Sequence, residues 1–128
     1  MNILVLAGGY SPERDVSLTS GSLIANALKR EGESVCLADV YLGIDETLLE
    51  SKDLFNTIEG EIYKVGTGVP DLDTLRRESG NGEALIGKGI IELCRRADVV
   101  FLALHGAMGE NGQLQATLDN YGIKYTGS

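Results

Sequence analysis

The chain contains no tryptophan, two prolines, two cysteines and one histidine, and it has far fewer basic than acidic side chains. Each scarcity removes a class of explanation. With 11 Lys and Arg against 19 Asp and Glu, and a formal net charge of -8, the surface is ill suited to neutralising a phosphate backbone, so no nucleic-acid partner is expected. No apolar run approaches the ~20 residues needed to span a membrane. The opening MNILVLAGG lacks the basic leader and the length of a secretory signal, which predicts a cytoplasmic protein with no membrane association. In that compartment Cys36 and Cys94, each inside an apolar stretch, are expected to be reduced core thiols rather than a disulfide. No metal site is assigned to the chain.

What the sequence does have is glycine, 17 residues of it, and enough apolar side chains, 43%, to build a core. A length of 128 residues predicts one domain, spanning 1–128. Residues 2–7, NILVLA, form an uninterrupted apolar run followed by Gly8 and Gly9, the pattern of a strand buried on both faces of a parallel sheet. From Val16 to Leu28 the apolar residues Val16, Leu23, Ile24, Ala27 and Leu28 share one side of a helical wheel, with Leu18 off it and Gly32 as the stop. SVCLADVY (34–41) reads as a second buried strand. Residues 42–82 show no sustained period and read as an excursion, with a short helix at 45–55, a short strand at 61–65 and an exposed turn at 78–83. Regularity returns with a helix over 83–97, on which Leu85, Ile86, Ile90 and Leu93 share a face, and a strand over 98–104. A glycine loop at 105–112, a helix over 113–122 and a strand over 123–128 complete the chain. This order predicts an α/β fold: an open, mainly parallel, Rossmann-like sheet with helices on both faces.

Ligands of such sheets bind in the crevice beyond the carboxyl ends of the strands. Two loops lie there, Ala7–Ser17 and His105–Gly112, each with glycines and each with a carboxylate near its middle, Glu13 and Glu110. The first matches neither the G-x-G-x-x-G nor the G-x-x-x-x-G-K-[ST] pattern of nucleotide sites, and Glu13 and Asp15 would repel a pyrophosphate. Two readings of its acids stay open. They complement the dipole of the following helix, or Glu13 offers charge-assisted acceptor sites to the ammonium group of an amino acid. Arg14 reads as a surface or ion-pair residue. His105 is either a satisfied structural histidine or, at the crevice and beside Gly106, part of a binding site.

The stretches GGYSPERDVSLTSG (8–21) and LALHGAMGENGQLQATLDNYGIKYTGS (102–128) resemble the two N-terminal motifs of the D-alanine–D-alanine ligase family, G-G-x-S-x-E-R-[ED]-V-S-L-x-S-G and A-L-H-G-x-x-G-E-D-G-x-[LI]-Q-G-x-L-E-x-x-G-I-P-Y-T-G-S. Here Asn111, Ala116 and Lys124 depart from the second pattern. The resemblance implies the domain that precedes the ATP-grasp in an ATP- and Mg²⁺-dependent ligase joining two D-alanines for peptidoglycan. It implies that Glu13 holds the ammonium of the first D-alanine as the catalytic-site carboxylate, and that Val16, Ser17 and His105 lie against the same substrate. Gly8, Gly9, Gly106, Gly109 and Gly112 then shape the loops, with Glu110 ordering the second. It further implies homodimerisation through this domain. The ATP-grasp motifs are not found in these 128 residues, so the fragment alone is expected to bind no cofactor and to be inactive. The rival expectation is a freestanding binding or assembly module with the same fold.

Overall fold

The computed structural model describes residues 1–55, 72–80, 86–104 and 113–127. Four strands form one parallel sheet: β1 (Asn2–Ala7), β2 (Ser34–Asp39), β3 (Val99–Leu102) and β4 (Tyr125–Gly127), in the order β2-β1-β3-β4. β1 lies at the centre, with Leu4 opposite Cys36 on one side and Val100 on the other. The sheet grows outward from β1 in both directions, so the point where strand order reverses lies at β1 and its neighbours.

Alternation along the strands sends successive side chains to opposite faces and builds two cores. Ile3, Val5, Ala7 and Val35 face helix α1 (Arg14–Arg30), where Leu18, Ile24 and Leu28 close the layer. Leu4, Leu6, Cys36, Val100 and Leu102 face the other way, against Ile90, Leu93 and Cys94 of α4 (Ile90–Arg96) and Leu114 and Leu118 of α5 (Gln113–Asn120). The predicted open parallel α/β sheet with helices on both faces is therefore the observed one. No helix among the described residues is long and apolar enough to cross a membrane.

Three local expectations are corrected. The wheel drawn for α1 placed Val16 and Leu23 on the buried side, yet they are 43% and 53% exposed, and the sheet-facing residues are Ser17, Gly21, Ser22 and Ala25. Proximity decides this. A Cβ at Gly21 would sit 2.7 Å from the Cβ of Ala7 and 3.2 Å from a methyl of Leu37, so α1 lies too close to the sheet for large side chains along its central line. The helix expected over 45–55 is one turn, α2 (Glu46–Leu49), capped by the Asp45 carboxylate on the Thr47 N–H at 2.8 Å. Of the helix expected over 83–97, residues 83–85 lie outside the described residues, 86–89 are not helical, and α4 begins at Ile90, because Gly89 has a φ of 83° and Gly87 is pressed against Gly43. The excursion also holds α3 (Leu72–Ser79), ended by Gly80 at a φ of 71°. The strand expected at 61–65 lies outside the described residues, as do residues 81–83 of the expected turn.

Both ends of the excursion meet. The Gly87 N–H donates to the Val40 carbonyl at 2.7 Å and the Ile44 N–H to the Lys88 carbonyl at 2.9 Å. A Cβ at Gly87 would fall 2.3 Å from the Gly43 nitrogen, so the two strands of chain cross with backbone against backbone.

Candidate functional site

The turn between β1 and α1 opens with two residues that only glycine suits. Gly8 and Gly9 have φ of 76° and 89°, and a Cβ on Gly8 would lie 2.6 Å from the carboxyl carbon of Asp39. The turn then folds on itself. The Ser11 hydroxyl accepts from the Glu13 N–H at 3.1 Å and donates to Glu13 Oε2 at 2.7 Å, while the Ser11 carbonyl accepts from the Arg14 N–H at 3.1 Å. Ser11 is fully buried and Glu13 is exposed, so an internal hydroxyl holds a carboxylate that faces outward. Ser11 and Pro12 thus precede the helix, which starts at Arg14 with Glu13 as its cap residue.

Arg14 turns inward instead. Its guanidinium donates to the Gly9 carbonyl at 2.8 Å and to Asp39 Oδ2 at 2.5 Å, with only 10% and 12% of the two side chains exposed. The other oxygen of Asp39 accepts from the N–H groups of Gly9, Tyr41 and Leu42 at 3.3, 2.9 and 3.3 Å. Asp39 ends β2 and ties β2 to the loop after β1. The Arg14 charge is thereby spent inside the fold, and Glu13 keeps its own for the outside.

Ser17, on the first turn of α1, is buried with its hydroxyl accepting from the Gly8 N–H at 2.9 Å and donating to the Ala103 carbonyl. Ala103 follows β3, so this one hydroxyl links the loops leaving β1 and β3 at the switch point. Val16 stands exposed beside Glu13 on the outer side of the same turn. The structure thus brings Gly8, Gly9, Glu13, Val16 and Ser17 together at the carboxyl edge of the sheet. His105, Gly106, Gly109, Glu110 and Gly112 lie outside the described residues; Leu104, which is buried, leads into them from that edge.

The β1–α1 turn, with Glu13 exposed on it, is poorly suited to a phosphate. Four N–H groups of the turn are tied into the fold: Gly8 on Ser17, Gly9 on Asp39, and Glu13 and Arg14 on Ser11. No group of three or more His, Cys, Asp or Glu that could hold a metal occurs among the described residues. What the turn offers is an exposed anion on a buttressed backbone, which suits a cation.

Several of these residues were not singled out from sequence. Asp39 is the acid that ends an otherwise apolar strand, a signal that was present. Ser11 sits two residues before Glu13, within reach of a local hydroxyl–carboxylate pair. The third group had no local signal: the Tyr10 ring lies 5.1 Å from that of the wholly buried Tyr41 and 4.6 Å below the guanidinium carbon of Arg76 on α3.

The family described as "D-ala D-ala ligase N-terminus" matches residues 2–128. Proteins named D-alanine–D-alanine ligase from Lacticaseibacillus casei and Pediococcus pentosaceus are 41% and 44% identical over 131 and 133 aligned residues, covering the whole of this chain. One from Lawsonia intracellularis is 33% identical over 129 residues. The chain spans 36% of the length of the first, 37% of the second and 28% of the third.

Proposed function

Since this chain belongs to the D-ala D-ala ligase N-terminal family, we propose that it is the substrate-side domain of an ATP-dependent D-alanine–D-alanine ligase and forms part of the first D-alanine site. The observation that carries this reading is the exposed Glu13 carboxylate, fixed by the buried Ser11 hydroxyl at the switch point of the sheet. An α-ammonium group donates to that carboxylate through charge-assisted hydrogen bonds, which orient the amino acid as well as hold it. The substrate's own carboxylate is then directed away from the domain, toward groups supplied by another part of the enzyme. Val16 gives the ammonium end an apolar flank, His105 approaches from the second loop, and Ser17 sets the distance between the two loops. The glycines at 8, 9, 106, 109 and 112 shape those loops, and Glu110 orders the second.

The chain spans little more than a third of the first relatives' length. We assign the nucleotide and Mg²⁺ chemistry to the remaining two thirds of such an enzyme, because the turn described here carries an exposed carboxylate and ties four of its N–H groups into the fold. The isolated chain binds D-alanine weakly, turns nothing over, and acts in the cytoplasm, where dipeptide for the cell wall is made. Homodimerisation through this domain belongs to the same reading.

The test is ADP release with D-alanine by the protein encoded with the sequence that follows Ser128. An intact longer protein without that activity sinks the proposal, and a stop after Ser128 favours a freestanding binding module. In the active protein, Glu13→Gln raises the KM of the first D-alanine by a factor equivalent to ~1.5–3 kcal/mol, the scale of a hydrogen bond to a charged group. An unchanged KM removes Glu13 from the site.

A further inference from the structure

The excursion between β2 and α4 matches neither motif, yet it reaches the loop that carries Glu13. Its helix α3 has the sequence LDTLRRES, in which Leu72 and Leu75 are the apolar residues and both are half-buried. α3 places the half-buried Arg76 over the ring of Tyr10, with 4.6 Å from the guanidinium carbon to the ring centroid. The ring's other neighbour is Tyr41, tilted 43° to Tyr10 at 5.1 Å and fully buried. Tyr41 is held in turn through its N–H on Asp39, the carboxylate that also takes Arg14 and Gly9. Tyr10 therefore lies between Gly9, which Asp39 holds, and Ser11, which holds Glu13.

We propose that Arg76 is a positioning residue for Glu13: from α3 it clamps the Tyr10 ring against Tyr41 and so fixes the Ser11–Glu13 turn. The chemistry suits the task. A guanidinium plane covers an aromatic face and remains attracted to it when partly desolvated, whereas an apolar side chain would seal the ring without preferring one orientation. Positive φ at Gly8 and Gly9 gives the turn freedom on its N-terminal side. Tyr10 is the first residue after those glycines, so a hold on its ring limits that freedom just before the carboxylate. The excursion thus acts as a brace on the binding loop, and its sequence tunes how firmly the loop is set. The link to an amino acid rests on the reading of Glu13 given above, but the brace itself does not.

The experiment uses amide hydrogen exchange by NMR on the 128-residue chain, with Arg76→Lys, Arg76→Gln, Tyr10→Phe, Tyr10→Leu and the double variant R76Q/Y10L. Losing one cation–aromatic contact speeds exchange of the Glu13 and Arg14 amides roughly 3- to 30-fold in R76Q and in Y10L. The double variant is no faster than Y10L alone, R76K and Y10F retain most of the protection, and the Leu4–Leu6 amides of β1 do not change. Three results overturn the brace: unchanged loop exchange in R76Q, effects of R76Q and Y10L that multiply, or loss of protection in β1 equal to that in the loop. In the longer ligase, the same R76Q change raises the KM for D-alanine more than it lowers kcat, and R76K restores it. Absence of ADP release by the unmodified longer protein refutes the ligase reading alone, and exchange still decides the brace.

Discussion

Asp39 and Arg14 form the ion pair on which the β1–α1 turn is built, and their burial sets what each substitution costs. Both side chains are almost wholly out of solvent, and the Asp39 oxygens also satisfy three backbone N–H groups. Removing the acid leaves a buried guanidinium without its partner, a change that costs about 3–5 kcal/mol. Asp39→Ala is therefore expected to lower the unfolding free energy from urea titration by that amount, whereas Asp39→Asn, which keeps an acceptor for the N–H groups, loses less. Equal effects of the two substitutions would show that charge contributes nothing here. Gly8→Ala should match Asp39→Ala in severity, since its methyl enters the carboxylate at 2.6 Å and its φ is 76°. Such a pair explains why a motif rich in charge behaves as part of the interior: of the run Glu13, Arg14, Asp15, the middle residue turns in and the first faces out.

The contact between α1 and the sheet follows small residues, and this is where the sequence was misleading. Gly21→Ala gains about 1 kcal/mol of helix propensity but drives a methyl into Ala7, and overpacking costs about 1–3 kcal/mol. A net loss of up to about 2 kcal/mol is expected from the same two effects, read as a lower unfolding midpoint. Leu23→Gln, on the face that periodicity had assigned to the core, should stay within about 0.5 kcal/mol of the parent, as exposed sites do. If Leu23→Gln proves the costlier, the helix lies the other way round. Strands were legible because their apolar runs admit one reading in a parallel sheet, and β1, β2 and β3 fall inside the predicted 2–7, 34–41 and 98–104. Helix faces were less legible, because a period shows which residues could be buried and not how near the neighbouring layer lies. The start of α4 was misplaced for a related reason: Gly87 and Gly89 answer to Gly43 and Ile44, far away in sequence. In the candidate site, local pattern and resemblance were enough to single out Glu13, Gly8 and Gly9, which the fold places together at the carboxyl edge of the sheet. The Arg76 contact depends on where the excursion folds back, which no local pattern encodes.

At the scale of the whole molecule, Cys94 reports on the integrity of the second core. It is packed among Leu4, Leu93 and Val100, and burial pushes its thiol up to about 12 from an ordinary value of 9.0, against a smaller opposing effect of a backbone hydrogen bond. The folded-state value lies above the unfolded one, so this group's contribution to stability is complete below pH 9.0 and is lost as pH rises toward about 12. The urea midpoint should decline across that window, and the share due to Cys94 should vanish in Cys94→Ala. At pH 8 the folded protein should leave Cys94 unmodified by an aromatic disulfide reagent until denaturant is added. Fast labelling without denaturant would show a core that opens locally.

The crossing of Gly43 over Gly87 bears on how such chains vary. Because Val40 is bonded to Gly87 and Ile44 to Lys88, the chain leaves the sheet and returns to it through a single gate. A longer or shorter loop between those bonds costs little chain entropy, but Leu49 and Leu54 are buried in the second core and anchor the first part of the excursion there. The gate carries α3 on a root that β2 and α4 both hold, so a change at Arg76 resets the brace on the Glu13 turn without rebuilding the sheet beneath it.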